Sequence, residues 1–431
     1  MAVDLARLTA FEALRAVDER DAYTNLVLPA MLTERGLTGR DAALVTELVH
    51  GTLRRRGTYD AILDQVAKQG VAKIDPPVLD ALRLGAHQLL SMRVPSHAAV
   101  STTVDLVRRQ VGHKPTAFVN AVLRKVARRG LGDWLDLVGA GLSETERLAV
   151  VESHPAWMVE ALGRALEVGG RDRSELPALL GADNASPRVT LVARPGLVDP
   201  DALPGEAGRL SPYARVLDGG VPGDLPEIRD GRAGVQDEGS QMVALTAVDA
   251  SVEGRDERWL DLCAGPGGKA ALLGALAAQR GAHLVANEAQ PHRAELVRKT
   301  VRQLPDVEVT VHDGREGPWE PGSFDRVLVD APCTGLGALR RRPESRWRRR
   351  AEDVPELVTL QVELLGRALS LVRPGGVVVY ATCSPHAEET VGVVEAATAS
   401  GVAELEDVRR WWPHVDGTDA MFAAVLRRTA D

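Results

Sequence analysis

The second half of the chain alternates short apolar runs with helical segments, and this rhythm constrains the fold more than any other feature. From Val248 onward, five such runs recur, with helical segments between most of them. Strands that alternate with helices predict a doubly wound, mainly parallel sheet covered by helices on both faces. Ligands bind such sheets at the carboxyl ends of the strands. The runs are 259–263, 283–286, 307–311, 326–329 and 377–381.

The first part of the chain carries a purely helical pattern. Apolar residues recur at the spacing of one helix face, as at Leu5, Leu8 and Phe11. Pro77 suits the first turn of a helix, where its missing N–H leaves no hydrogen bond unmade. We therefore predict that residues 4–130 are all helix. Two of the predicted helices cover 78–92 and 116–129.

A mixed region separates these two patterns. It combines a predicted helix near 155–166, a short predicted strand at 188–192 and a stretch rich in proline and glycine over 194–234. We interpret it as a small α+β connector with loops. The sequence thus predicts a multidomain chain with an all-α N-terminal domain, the connector, and an α/β doubly wound Rossmann-like domain. The predicted boundaries are 1–138, 139–232 and 233–431.

Composition narrows the class of protein. The 431 residues exceed one ordinary core, and no apolar stretch reaches the ~18 residues of a membrane span. Three widely spaced cysteines argue against a disulfide framework and for a reducing compartment. The sequence contains no CxxC motif and no cluster of His and Cys residues that would bind zinc, so no metal is expected. With no signal peptide at the N-terminus, we expect a cytoplasmic protein that contacts no membrane.

The strongest local signal is the sequence DLCAGPGGK at positions 261–269, which follows the first apolar run and opens a helix. Glycines allow the backbone to approach a ligand closely, and a helix N-terminus presents unpaired N–H groups. The spacing matches neither the dinucleotide fingerprint GxGxxG nor the phosphate loop GxxxxGK[ST]. A nucleoside cofactor without a pyrophosphate fits better than either, although a simple tight turn would share the pattern.

Acidic residues follow the second and third runs. Asn287 and Glu288 come about 20 residues after the glycine loop, where an acidic side chain accepts hydrogen bonds from a ribose diol. His312 and Asp313 end the third run, where a carboxylate could meet an adenine amino group. The alternative is that both acids are solvated surface groups.

Two cysteines follow the fourth and fifth runs. Cys333 lies in the sequence DAPCTG at 330–335, and Cys383 lies in YATCSP at 380–385. A cysteine is often only a small buried hydrophobe. Here Cys263, Cys333 and Cys383 all fall at the ends of predicted strands, which favours a chemical role.

Together these motifs resemble the Sun/NOL1/NOP2 family of RNA cytosine-5 methyltransferases, and within it the bacterial Fmu-type group that acts on 16S ribosomal RNA. The similarity covers nearly the whole chain. The N-terminal helices resemble the RNA-binding fold of the antitermination factor NusB. The segments that carry the resemblance are DLCAGPGGK at 261–269, DAPCTGLGALRRRPESRW at 330–347, YATCS at 380–384, VQDEGSQ at 235–241, HVDGTDAMF at 414–422, PSHAAV at 95–100 and FVNAVLR at 118–124.

The resemblance implies a class I methyltransferase domain that uses S-adenosylmethionine as cofactor. It implies that Cys383 is the nucleophile, that Cys333 assists product release and that Asp330 orients or protonates the base. It implies RNA as partner, most specifically 16S rRNA, with no DNA and a monomeric enzyme. The residues that the family pattern assigns to the cofactor are Cys263, Ala264, Gly265, Pro266, Gly267, Gly268, Lys269, Glu288, Asp313 and Asp330.

The implied chemistry needs a thiolate. Carbon 5 of cytosine is a poor nucleophile until a thiolate adds to carbon 6. An ordinary cysteine has a pKa of ~8.5, so the site must lower this pKa or deprotonate the thiol on demand. The departures from the family pattern are small: Ala270 replaces a frequent threonine, Gly265 a frequent alanine and Ala193 a frequent asparagine. None of them removes a catalytic group.

Local basic density predicts RNA contacts despite a net charge of −8. The last N-terminal helix carries Arg124, Lys125, Arg128 and Arg129. A second basic stretch over 340–350 adjoins the predicted crevice and is expected to contact phosphates. The sequence leaves open whether Trp347 within it packs in a core or stacks on a base.

Four other functions fit parts of the pattern. A DNA cytosine-5 methyltransferase would use the cysteine after the fourth strand, by resemblance, and would lack Cys383. A non-catalytic RNA-binding assembly factor would not need Asp330, Cys333 and Cys383. A thiol redox enzyme would want a CxxC motif, which is missing. Finally, the same chemistry could act on another RNA, such as tRNA or 23S rRNA.

Overall fold

The computed structural model describes residues 4–20 and 22–429. The chain forms two compact units, each built from separate stretches of sequence. The first unit comprises Met1–Gly163, Ser174–Ala185 and Leu339–Arg348, and the second comprises Arg164–Arg173, Ser186–Ala338 and Arg349–Asp431.

The first unit is helical, as predicted. Its core is one cluster of buried apolar side chains that includes Leu48, Ile62, Leu82 and Leu123, all with no exposed surface. The two helices predicted at 78–92 and 116–129 begin within two residues of the predicted positions. In α5, proline occupies the first turn, as expected. Helices α1 to α9 are Leu5–Arg20, Thr24–Glu34, Gly39–Arg54, Arg56–Val66, Pro76–Leu90, Ser96–Gln110, Thr116–Val126, Leu131–Gly139 and Glu144–Val151.

A segment from the second half of the sequence completes this unit. The segment Leu339–Arg348 follows the Cys333 loop, yet it packs among the N-terminal helices. Arg346 has no exposed surface and donates to three backbone carbonyls and one side-chain amide. The expectation that this stretch contacts phosphates is therefore wrong for Arg346. Its acceptors are the carbonyls of Arg54, Ser153 and Asp183 and the Oδ1 atom of Asn184.

Trp347, for which the sequence left two roles open, packs within the first unit. Its ring Nε1 donates to the carbonyl of Leu53 at 3.2 Å. Its Cη2 atom lies so near Gly57 that a Cβ added there would come within 2.5 Å. The glycine thus makes room for the indole. The remaining helices of the chain are α10 (Ala156–Val168), α11 (Leu176–Asp183), α12 (Pro226–Asp230), α13 (Glu238–Asp249), α14 (Gly268–Gln279), α15 (Pro291–Val301), α16 (Ser345–Arg348), α17 (Val354–Leu371), α18 (Val391–Thr398) and α19 (Pro413–Asp416).

The second unit holds two sheets. The smaller one falls in the predicted connector and has four antiparallel strands in the order β2-β3-β1-β4. The strand predicted at 188–192 is found at 190–193, as one of the two inner strands. The strands are β1 (Thr190–Ala193), β2 (Glu206–Ala207), β3 (Ala214–Val216) and β4 (Ala233–Val235).

The larger sheet has seven strands in the order β10-β11-β9-β8-β5-β6-β7. The five strands predicted from the apolar runs are parallel, which confirms the doubly wound prediction. The last two strands form an antiparallel hairpin at one edge, which the sequence analysis did not predict. The strands are β5 (Arg258–Asp261), β6 (His283–Asn287), β7 (Val307–Thr310), β8 (Phe324–Asp330), β9 (Val372–Thr382), β10 (Ala403–Trp411) and β11 (Met421–Arg428).

Helices cover both faces of this sheet. On β8, Val327 and Val329 pack in one core with Leu365 of α17. Leu328, between them, packs in another core with Val243 of α13. Successive side chains of β8 thus point to opposite faces of the sheet and pack in two separate cores, as the two-residue period of a strand requires.

The structure divides the chain into two units, each made of three separate stretches, and not into three continuous segments. The predicted boundaries of three continuous domains therefore remain a prediction. Among the described residues, no helix is both long enough and apolar enough to cross a membrane.

Candidate active site

The two cysteines that follow adjacent strands meet at the carboxyl end of the sheet. The Sγ atoms of Cys333 and Cys383 lie 3.4 Å apart. The parallel register aligns Asp330 at the end of β8 with Ala381 near the end of β9, and this brings the following loops together. The amide N–H of Gly337 donates to the carbonyl of Cys383 at 2.9 Å, which links the two loops directly.

An ion pair lies beside the thiols. Lys269, in the first turn of α14, has its Nζ atom 2.9 Å from Oδ2 of Asp330. Burial alone would lower the pKa of Lys269, but the negative charge and hydrogen bond of Asp330, followed by Cys383 and Asp261, raise it. Lys269 therefore stays protonated. Cys383 is one of the groups with which it interacts electrostatically. The sequence analysis gave Lys269 only a cofactor role and missed this second relationship.

Asp261 is a buried carboxyl group at the end of β5. It has no exposed surface, and within the described part of the chain neither carboxyl oxygen has a hydrogen-bond partner. Burial, and then the charge of Asp330, raise its pKa to about 8. A buried polar group without a partner is costly, so this carboxyl suits a cationic or hydrogen-bonding group of a ligand.

The glycine loop leaves no room for side chains. A Cβ added at Gly265 would lie 2.0 Å from Oε2 of Glu288. Glycine at this position therefore leaves the space that the Glu288 carboxylate occupies. Gly267, with φ of 108°, begins α14 in a conformation that side chains rarely adopt. Arg293 braces the loop by donating to the carbonyl of Gly265 at 2.7 Å.

Glu288 follows β6 and is 5% exposed. Its Oε1 atom accepts the backbone N–H of Gln290 at 3.0 Å, and Oε2 lies 3.5 Å from Arg293. The carboxylate is thus held against the glycine loop, as its place after the second strand predicted.

Asp313 lies at the end of the third strand's loop but is more open than the other acids. Its side chain is 41% exposed and pairs through both oxygens with Arg315. The hydrogen bonds from Arg315 lower its pKa to about 2. An adenine amino group would have to share this carboxylate with the arginine.

Asn287 organises the strand ends around these acids. Its Nδ2 atom donates to the carbonyls of Leu262 and His312, and its Oδ1 atom accepts from the N–H of His312 and from Thr310. One side chain therefore ties the ends of β5, β6 and β7 together. Sequence analysis noted Asn287 only as a neighbour of Glu288.

Family models and known proteins together match nearly the whole chain. Residues 252–427 match the family described as 16S rRNA methyltransferase RsmB/F, and residues 4–128 match the NusB family. The ribosomal RNA small subunit methyltransferase B of Pseudomonas putida is 34% identical, over 93% of this chain and 91% of that protein. The chain belongs to the RsmB/F family of rRNA methyltransferases. This confirms the family resemblance seen in the sequence.

Other relatives of this RsmB/F member extend the match. A Mycobacterium tuberculosis protein described as a methyltransferase is 50% identical, over 99% of this chain and 97% of that protein. Two solved structures share the fold. The crystal structure of PH0851 has a TM-score of 0.79 at 21% identity and covers 99% of this chain and all of that one. A methyltransferase homologue from Pyrococcus horikoshii has a TM-score of 0.55 at 20% identity, over 67% of this chain and all of that one.

The cofactor of this RsmB/F enzyme is S-adenosylmethionine, and the residues present fit it. The unpartnered carboxyl of Asp261 complements an ammonium group. Glu288, packed directly against the glycine loop at Gly265, offers acceptors for a ribose diol.

Proposed function

We propose that this enzyme methylates carbon 5 of a cytosine in 16S rRNA through a covalent bond between Cys383 and carbon 6. The observation that carries the proposal is the pair of sulfur atoms at 3.4 Å, beside the ion pair of Lys269 and Asp330. Cytosine-5 chemistry needs one thiolate, one second group for release and a carboxyl near ring nitrogen 3, and Cys383, Cys333 and Asp330 are our candidates for these roles.

The charges around the sulfur atoms favour Cys383 as the nucleophile. Lys269 interacts electrostatically with Cys383, and a neighbouring cation stabilises a thiolate. The pKa of the Cys333 thiol is raised well above its usual value, first by its hydrogen bond to Cys383 and then by burial. Cys333 thus remains protonated and donates its S–H to the partner sulfur.

The proposed cycle begins when the target base leaves its stack and enters the crevice. The Cys383 thiolate forms a bond to carbon 6 while the double bond between carbons 5 and 6 opens, and Asp330 passes a proton from Lys269 to ring nitrogen 3. When bound, S-adenosylmethionine would supply the methyl group that carbon 5 attacks and would leave as S-adenosylhomocysteine. The carbon 5 proton then passes to water, nitrogen 3 returns its proton through Asp330, the bond between carbon 6 and sulfur breaks, and the ring regains its double bond. Cys333 assists this release.

We propose the cofactor contacts residue by residue. The buried carboxyl of Asp261 adds one contact to those assigned from the sequence. The assigned residues are Cys263, Ala264, Gly265, Pro266, Gly267, Gly268, Lys269, Glu288, Asp313 and Asp330.

The substrate assignment follows relatives named for the small ribosomal subunit. The NusB match over residues 4–128 supports an RNA-binding role for the helical region, which we propose as one of three domains with boundaries 1–138, 139–232 and 233–431. RNA is favoured over DNA because a cysteine follows the fifth strand as well as the fourth.

Bisulfite sequencing of total RNA tests this proposal. A strain without the gene should lose one 5-methylcytosine from 16S rRNA, and wild-type protein should restore it while Cys383→Ala should not. A lost mark in tRNA or 23S rRNA would overturn the substrate assignment. If no cytosine changes in any RNA, the protein does not perform this reaction.

A further inference from the structure

A buried carboxylate lies next to the Cys333 loop and has no part in the cycle described above. Glu389 has no exposed surface. Its Oε1 atom accepts the backbone N–H of Thr334 at 2.7 Å and the Nε2 of Gln361 at 3.1 Å. Its Oε2 atom accepts the hydroxyl of Thr334. These three donors are all uncharged.

The same network joins the two cysteine loops. Thr334 directly follows Cys333, Ser384 directly follows Cys383, and their hydroxyl oxygens lie 3.0 Å apart. Gln361 also donates to the carbonyl of Pro332, on the other side of Cys333, at 2.8 Å. Glu389 therefore fixes the Cys333 loop from both ends and, through Thr334, its distance from the Cys383 loop.

The charges near the two sulfur atoms are opposite in sign. Lys269, a cation, interacts with Cys383. Glu389, an anion, interacts with Cys333 and contributes to the raised pKa of that thiol, after the hydrogen bond to Cys383, burial and the charge of Cys383. In a buried site such charge interactions are weakly screened. The two cysteines therefore lie in different electrostatic environments, although they are the same residue type.

We propose that Glu389 is the positioning residue that assigns the two cysteines their separate roles. Its hydrogen bonds to Thr334 fix the Cys333 loop, and its charge adds to the sulfur–sulfur hydrogen bond and the burial that keep Cys333 a thiol while Cys383 becomes the thiolate. No substrate or cofactor contact is needed for this action. The consequence for catalysis rests on the proposed function, but the difference between the cysteines does not.

Glu389→Gln isolates the charge. The amide oxygen can still accept from Thr334 N–H and from Gln361, and the amide N–H can donate to the Thr334 hydroxyl, which accepts as well as donates. The matched control is Glu388→Gln, which removes the same charge from the exposed neighbouring residue.

The measurement is the rate of alkylation by iodoacetamide at each cysteine of the full-length protein. Rates are followed from pH 6 to 10 by mass spectrometry of the labelled peptides, without RNA or S-adenosylmethionine. Cys333 in Glu389→Gln should react about tenfold faster at pH 7.5, with its pH midpoint moved down, because only thiolates react. Cys383 should change less than about twofold, and the control should match wild type. The variant leaves in place the other charged or titratable groups near the pair: Lys269, which interacts with Cys383, Tyr380, which interacts with Cys333, and Asp330 and Asp261, which interact with Lys269.

Unchanged labelling of Cys333, or an equal increase at both cysteines, would overturn the proposal, since the second outcome indicates general loosening. If thermal melting shows that the variant does not fold, wild type still decides: Cys383 must titrate at lower pH than Cys333, and the reverse order overturns the proposal. Because labelling needs neither RNA nor cofactor, its outcome is independent of whether cytosine carbon 5 is the target.

Discussion

Cys333 and Cys383 are fifty residues apart in sequence, yet their sulfur atoms lie 3.4 Å from each other. The contact follows from topology, because parallel neighbours β8 and β9 place their carboxyl ends side by side. Lys269 of α14 and Asp330 of β8 form an ion pair at the same edge of the sheet. One edge of one sheet thus gathers all the chemistry that the proposed cycle requires.

Glu288→Ala should weaken binding of S-adenosylmethionine. A ribose diol that loses its acceptor loses about 1–3 kcal/mol of binding energy, which is roughly a 5- to 150-fold rise in Kd. Isothermal titration calorimetry measures this directly. Glu295→Ala, on the exposed face of α15, should bind as wild type does. Equal affinity in the two variants would refute the assignment of Glu288.

Asp261→Asn should change how stability depends on pH. The pKa of Asp261 is raised from 3.8 to about 8, mainly by burial. Between these values the folded protein holds a proton that the unfolded chain has lost, so wild-type stability falls as pH rises through this window. The asparagine variant lacks this dependence. The Tm of the variant minus the Tm of wild type should therefore increase from pH 5 to 8 and stay constant at higher pH.

Thermal melts at five pH values in the absence of cofactor test that expectation. Asp249→Asn, at an exposed position, should follow the wild-type curve. Parallel curves for Asp261→Asn and wild type would mean that Asp261 is ionised throughout and that its burial is compensated in another way.

Arg124→Gln with Arg128→Gln should weaken RNA binding. Both side chains are exposed on and just after α7. Each lost phosphate contact should lower the slope of log K against log salt by about 0.7–0.9. Filter binding between 50 and 300 mM salt measures both quantities. Arg108→Gln is the control, because Asp105 already pairs with that charge. An unchanged slope in the double variant would assign RNA binding to another surface.

Charge substitutions test this role better than deletion of residues 1–130. The segment Leu339–Arg348 packs within the first unit. A deletion would therefore remove the backbone partners of buried Arg346 and Trp347 along with the basic helix, and lost binding would have two causes.

Arg346→Ala should destabilise the protein without changing the salt dependence of RNA binding. The variant leaves several buried acceptors without donors, at about 1–3 kcal/mol each. A fall in Tm of at least about 5 °C is expected. Arg350→Ala, which removes an exposed arginine nearby, should leave Tm within about 1 °C. A reduced salt slope at unchanged Tm would restore the phosphate role that the sequence suggested.

Much of the fold follows from the sequence because its signals are local. Apolar runs bounded by glycine, proline and acidic residues gave the five parallel strands, and the rule for strand ends placed Glu288 and both cysteines at one edge. The edge hairpin was missed because β10 is buried only at its two end residues and shows no apolar run.

Long-range contacts could not be predicted in the same way. The arginines of 340–350 look like a solvated charge run, but Arg346 and Arg348 donate to backbone carbonyls up to 331 residues away in the sequence. Glu389 stands beside an exposed glutamate and has no local mark of burial. Its partners Thr334 and Gln361 come from a distant loop and helix. Tertiary packing, not local pattern, decides both cases.

The central claim is the division of labour between Cys383 and Cys333, and denaturing gel electrophoresis with radiolabelled substrate RNA tests it most directly. Cys383→Ala should neither methylate nor form an adduct, because without addition at carbon 6 carbon 5 stays unreactive. Cys333→Ala should still add and methylate but release slowly, so a protein–RNA complex should persist on the gel. If Cys383→Ala turns over while Cys333→Ala is inactive and traps no RNA, Cys333 is the nucleophile and the account is wrong.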